Sequence, residues 1–287
     1  MSQDGVLLLG GAGFIGSALA RRLARENMPV HILGRHQQDQ LEHVLPQCGT
    51  VVHLACSTTP SASAACASLE LGNLTLTLRL LDLLKNQPKT HLIFFSSGGT
   101  VYGNPRTLPV TEDSPLAPLS NHGASKVSQE AFCSALRTEG HPLTILRPSN
   151  AYGPGQMMKS GFGLIRTMLE HARAGTPLEI WGDGENIRDF IYIDDIVEAS
   201  LRLIKLPQDA GTYNLGSDMG FSINQVRGIV EAACGKELQT NYRPARGTDV
   251  RCVVLDSSRL KARLGWQAAV GLVDGITRTW DWLKRHG

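Results

Sequence analysis

Apolar residues in the first half of the chain fall into short runs separated by amphipathic stretches. VLLLG (6–10), PVHILGRH (29–36), VVHLA (51–55) and HLIFFSS (91–97) are rich in aliphatic residues and read as strands of a buried sheet. SALARRLAREN, after the first run, puts Ala18, Leu19, Leu23 and Ala24 on one face at helical spacing, and NLTLTLRLLDLL (73–84) has the same period. Residues 37–50, QQDQLEHVLPQCGT, hold one short helix at most. Strands alternating with helices at this spacing predict an α/β fold, a doubly wound parallel sheet. Further on, LTILRPSNAYGPG (143–155) reads as another strand and WGDG (181–184) as a turn, and IVEASLRLI is a helix that Asp194 and Asp195 are expected to cap. Gly and Pro cluster at Ala151–Lys159, which predicts a first domain over 1–155 and a smaller second one over 156–287.

The glycines after the first strand point to a ligand. Gly10, Gly13 and Gly16 sit between a strand and a helix. Glycine there allows positive φ and close backbone approach to a pyrophosphate, which the free N–H groups of the helix start then hold. Ligands of such sheets lie at the carboxyl ends of the strands, where Gly10–Gly16, Arg35, His53–Ala55 and Ser96–Thr100 all fall. The second strand ends in Gly34–Arg35 with no carboxylate to repel a 2′-phosphate, which leans the cofactor toward NADP over NAD. Arg35 as a solvated residue or as a stack on adenine stays open beside that reading. A usual dinucleotide fold has one more strand and helix where residues 37–50 stand, so the adenine side is expected to be open.

Composition narrows the class by exclusion. The net charge of +2, without a Lys/Arg block, gives no reason to expect nucleic acid or a membrane surface as partner. The six cysteines (48, 56, 66, 133, 234 and 252) show no zinc-ligand spacing, so no metal is expected. No apolar run is long enough to span a bilayer, and MSQDGVLLLG lacks the basic start of a signal peptide. The expectation is a cytoplasmic protein with reduced, buried cysteines.

GGAGFIG, VVHLA, Asn73, FFSSGGTVYG, HGASK, ILRPSNAYGPGQ, IWGDGENIRDFIYIDDIVEA, GTYNLGS and LGW occur in the order seen in extended short-chain dehydrogenase/reductases, from Val6 to about Trp282. The chain resembles the nucleotide-sugar epimerases, dehydratases and ketoreductases of that family, and most of all the UDP-glucose 4-epimerase branch. The resemblance implies that Gly10, Gly13, Phe14, Ile15, Gly16, Arg35, Leu54, Ala55, Asn73, Lys126 and Pro148 hold the dinucleotide. It also implies that Ser97, Thr100, Asn150, Arg188 and Arg246 face a nucleotide-diphosphate sugar. Paired guanidinium groups suit a pyrophosphate, although Arg188 pairing with the adjacent Asp189 is an alternative. In relatives the chain recrosses into the first domain near 187–205, and helices near 73–85 and 122–138 make a dimer contact, so a homodimer is expected.

Two positions depart from the family. A Tyr is expected four residues before Lys126, where it would take the sugar hydroxyl proton as a phenolate, and this chain has His122. Lys126 disfavours imidazolium, so His122 is expected to be neutral and able to act as a general base. It reads as a working acid/base group, as a loss that leaves a binding protein, or as an introduced exchange. The usual catalytic Ser/Thr position falls on Gly98, so Ser97 or Thr100 is expected to supply the hydroxyl. A dehydratase needs a carboxylate pair where Gly99 and Thr100 stand, which removes that reaction. What remains is a UDP-hexose 4-epimerase with His122, Lys126 and Ser97 as the catalytic set. A nucleotide-4-keto-sugar reductase and a non-catalytic dinucleotide-binding protein are the alternatives.

Overall fold

The computed structural model describes residues 5–158, 163–206, 209–247 and 249–286. Lys159, the far end of the expected boundary, lies outside them. The strands are β1 (Gly5–Leu9), β2 (Val30–Leu33), β3 (Cys48–His53), β4 (His91–Phe95), β5 (Leu143–Pro148), β6 (Asn150–Tyr152), β7 (Leu178–Trp181), β8 (Ile187–Tyr192), β9 (Thr212–Leu215), β10 (Gly220–Ser222), β11 (Thr240–Arg243) and β12 (Cys252–Val253). The helices are α1 (Phe14–Arg25), α2 (Leu41–Val44), α3 (Pro60–Ala65), α4 (Glu70–Leu84), α5 (Gly98–Val101), α6 (Asn121–Thr138), α7 (Leu164–Ala174), α8 (Ile193–Ile204), α9 (Ile223–Cys234), α10 (Ser258–Leu264) and α11 (Leu272–His286).

Six parallel strands form the main sheet in the order β2-β1-β3-β4-β5-β9, with a crossover between each neighbouring pair. Both faces are covered, which explains the unbroken apolar runs. Val6, Leu8, Val52, Ile93 and Leu146 join one core cluster, with α1 and α8. Their neighbours Leu7, Leu9, Val51, Leu92 and Ile145 join the other, with α4 and α6. β2 is an edge strand: only α2 and short 3-10 turns connect it to β3. The expected shortening at residues 37–50 is therefore real.

Beyond β5 the chain builds a smaller layer, with β10-β8-β12 as one sheet, β6 paired with β8, and β7 with β11. α8 lies against α1, where Arg22 pairs with Glu198 at 3.0 Å and Lys205 with Glu26 at 2.9 Å. Among the described residues no helix is long and apolar enough to cross a membrane.

Four local expectations need correction. Ala24 is exposed, because the buried stripe of α1 is Gly16, Leu19 and Leu23. The run 143–155 is two strands, since β6 leaves the main sheet after Ser149 to pair with β8. Asp194 and Asp195 lie in the first turn of α8 but cap nothing; Asp195 accepts the backbone N–H groups of Ala269 and Val270 at 2.9 and 3.1 Å. Of the six free cysteines only Cys48 and Cys133 are buried, while Cys56 and Cys66 are exposed.

Candidate active site

A cleft of about 420 Å³ opens over the carboxyl ends of β1, β3, β4 and β5. Its floor begins at the β1–α1 turn. Gly10 has φ +91, and a Cβ there would lie 2.6 Å from Ala55 Cα, so conformation and packing both demand glycine. A Cβ on Gly16 would lie 2.6 Å from Gly11 Cα. Gly13 is different: a Cβ would meet only Gly10 O, at 3.3 Å. Its missing side chain keeps the mouth of α1 clear. No side chain caps α1 and no acid sits in its first turn, so the N–H groups of Phe14 and Ile15 remain open to an anion. The turn thus fits a dinucleotide pyrophosphate.

α6 brings the chemistry to the cleft. Ser120 caps it by accepting the Gly123 N–H at 3.1 Å, and its buried stripe includes His122, Lys126, Glu130 and Cys133. Lys126 is 6% exposed; its Nζ donates to Phe95 O at 2.9 Å and lies 5.0 Å from the Phe94 ring centre. His122 is 8% exposed and lies beside Lys126 at the cleft wall. Burial, reinforced by the Lys126 ammonium, lowers its pKa below the ordinary histidine value. The shift runs in the direction expected for His122, with burial ahead of the lysine as its cause.

Glu70 opposes that shift. Its Oε1 lies 3.3 Å from His122 Nδ1, which is also 3.4 Å from Thr58 Oγ1. Burial is the largest single influence and raises the Glu70 carboxyl, but several hydrogen bonds together, led by those from Asn73 and Thr58, hold it below its ordinary value. Neither Glu70 nor Thr58 was legible beforehand. The i,i+3 spacing of Glu70 and Asn73 on α4 was visible, but not that α4 packs against α6, 52 residues along the chain.

The other residues singled out above divide into two groups. Leu54, Ser97, Thr100, Pro148 and Asn150 line the cleft with the β1–α1 turn. Asn150 Nδ2 donates to Asp189 O at 2.8 Å. Gly98 cannot take a side chain here: a Cβ would lie 2.6 Å from Leu255 Cδ1 and 2.8 Å from Arg147 O. Any hydroxyl at this corner must come from a neighbour. Ser96 is committed elsewhere, donating to buried Glu130, whereas Ser97 opens α5 without making a cap bond.

Arg35, Ala55, Asn73, Arg188 and Arg246 stand outside this lining. Asn73 is buried behind the wall and accepts from the backbone N–H of Ser57 at 2.8 Å, fixing the loop after β3. Arg35 lies past the end of β2, with Nη2 3.5 Å from Ser57 O. Arg188 is on β8, two residues before the cleft-lining Phe190 and so on the same strand face. Burial lowers its pKa. It does not pair with Asp189, whose carboxylate accepts from Ser217 and Leu255. Arg246 stacks on Trp181, its guanidinium 3.6 Å from the ring centre. His53 is fully buried between β3 and α4, with Nε2 3.0 Å from Thr77 Oγ1, and burial drops its pKa to about 3.

A six-stranded parallel sheet with a glycine-lined helix start and a Lys-bearing helix at one cleft has the architecture of a dinucleotide-binding protein, as in the NAD dependent epimerase/dehydratase family. The model of that family matches residues 6–216, and the chain belongs to it. It is 29% identical over 305 residues to a dTDP-4-dehydro-6-deoxyglucose reductase of Escherichia coli, covering 96% of each chain. Two solved UDP-glucose 4-epimerases, each 28% identical, share its fold. The Thermotoga maritima enzyme with UDP-glucose has a TM-score of 0.91, covering 98% of this chain and 99% of that one. The Thermus thermophilus enzyme with NAD has a TM-score of 0.90, covering 99% and 100%.

Proposed function

We propose that the protein is an NAD(P)-dependent UDP-hexose 4-epimerase in which His122 replaces the family's tyrosine as acid and base. The observation that carries this reading is a single cleft running from the open start of α1 to His122 and Lys126. The dinucleotide, when bound, supplies the hydride acceptor and donor. His122 takes the proton of the sugar C4 hydroxyl and returns it to the ketone. Lys126 bonds the nicotinamide ribose and adds to the burial that disfavours the imidazolium. Ser97, or Thr100 beside it, bonds the same sugar oxygen. Asn150, Arg188 and Arg246 hold the diphosphate. For Arg246 this means leaving Trp181, and an exposed cation–π contact is worth only about 0.5–1 kcal/mol, less than a charge-assisted bond to phosphate. The assembly proposed is a homodimer through α4 and α6, which leave Leu71 and Phe132 exposed. The test is incubation with UDP-glucose or UDP-galactose and NAD or NADP, followed by chromatography of the nucleotide sugars. Interconversion is expected; bound dinucleotide without interconversion would overturn the assignment.

A second reading, an NADPH-dependent 4-keto-sugar reductase, is favoured by Gly34–Arg35 and by the likeness to the Escherichia coli reductase. With no carboxylate at the end of β2, the Arg35 guanidinium is free to pair with a 2′-phosphate. Arg35→Glu is therefore expected to weaken NADP binding by about tenfold, the equivalent of about 1.4 kcal/mol, and to leave NAD binding almost unchanged. Fluorescence titration with both dinucleotides measures the ratio.

A further inference from the structure

An imidazole serves as a base through one nitrogen only while its proton sits on the other. At His122 the two nitrogens have different surroundings. Nδ1 faces Glu70 and Thr58, while Nε2 has no hydrogen-bond partner among the described residues, on a side chain that lines the cleft. Glu70 is itself held rigidly. Thr58 Oγ1 donates to its Oε1 at 2.7 Å, and Asn73 Nδ2 donates to its Oε2 at 2.8 Å. The residue is 8% exposed, so moving its carboxylate away means breaking both bonds in a place water hardly reaches. Such a group, built behind a histidine, has a different task from contacting substrate. A phenol acting as base has one oxygen and no tautomer to select; an imidazole needs a partner that selects one.

We propose that Glu70 is the positioning residue of His122: its carboxylate accepts a hydrogen bond from Nδ1–H, keeps the proton on that nitrogen and thereby leaves the Nε2 lone pair as the base that meets the sugar hydroxyl. This rests on the epimerase reading of the same cleft. In the forward half-reaction the O–H bond breaks and an Nε2–H bond forms; in the return the same proton goes back to the sugar oxygen. Glu70 remains ionised throughout and stabilises the transient imidazolium.

The charged groups bearing on His122 are Glu70 from α4 and Lys126 from α6 itself; Thr58, in the loop after β3, is neutral. Burial and Lys126 lower the histidine, and Glu70 alone among these charges raises it. Removing the carboxylate charge must lower it further. A base works only when unprotonated, so the acid limb of the kcat/KM profile should move to lower pH in Glu70→Gln.

The test combines that profile with ¹⁵N-histidine NMR titration of NAD-saturated protein, which reports tautomer and midpoint without turnover. In the wild type His122 should carry its proton on Nδ1. In Glu70→Gln the midpoint should fall and kcat should drop on the order of a hundredfold. Glu70→Asp, which keeps the charge, should stay nearer the wild-type midpoint. In a His122→Tyr background the same Glu70→Gln change should not lower kcat, because a carboxylate beside a phenolate only hinders it. An unchanged midpoint and tautomer in Glu70→Gln, or an equal loss of kcat in both backgrounds, would overturn the proposal. If the midpoint falls as expected but UDP-glucose and UDP-galactose are not interconverted, the pairing stands and the substrate reading fails.

Discussion

His122→Phe is expected to lower kcat by about 10²–10⁴-fold, the range a positioned general base contributes. Dinucleotide affinity should hold, because the pyrophosphate site at Gly10–Gly16 is untouched. Phenylalanine keeps a flat ring, somewhat larger than imidazole, between Glu70 and Lys126 and removes the proton-carrying nitrogens, so thermal unfolding serves to check that the fold is intact. Steady-state kinetics with UDP-galactose, alongside a dinucleotide titration, separates the two effects. A kcat that survived the exchange would mean that another group moves the proton, and Ser97 and Thr100 would be the next hydroxyls to examine.

The largest stability loss is expected deeper in the same wall. Arg147 on β5 and Glu130 on α6 are 6% and 3% exposed, and Nη2 meets Oε2 at 2.6 Å. The same guanidinium donates to Tyr102 Oη at 2.8 Å and to Glu112 O at 3.1 Å. Burial pushes the Tyr102 phenol up to about 12, so it stays a neutral donor, here to Asn214 Oδ1 at 2.7 Å. Arg147→Met strands a carboxylate in the core and should cost about 3–5 kcal/mol in chemical denaturation. Adding Glu130→Leu should recover part of it, because an apolar pair of similar volume avoids the desolvation of both ions. No recovery in the double variant would show that the cost lies in lost packing rather than in the unpaired charge.

These two sites also mark how far the chain could be read unaided. The β1–α1 turn was legible because most of what shapes it is local: an apolar run, glycines at fixed spacing and a helix start. Lys126 and His122 were legible as a pair because HGASK resembles the family motif, and one helical turn then puts the two side chains on the same face. Glu70 and the Arg147–Glu130 pair were not, since each depends on which helix the fold lays beside which strand. Gly98 lay between these cases. Its departure from the family pattern was plain, but that Leu255 would occupy the space of a side chain there could not be known. Asp195 shows the converse error. Its place at a helix start made a cap reasonable, yet the segment at Ala269–Val270 takes its carboxylate instead.

The truncated side of the sheet has a consequence for colloidal behaviour. With no strand beyond β2 among the described residues, the sheet ends in a row of backbone groups that a strand from another molecule could join. Only four residues, Val30–Leu33, make that border; Ile32 on it is exposed, and Arg35, two residues past its end, carries an exposed charge. So short a margin, with a charge just past its end, is a poor template for cross-molecular β-pairing, and its brevity is what lets the fold do without its usual outer strand.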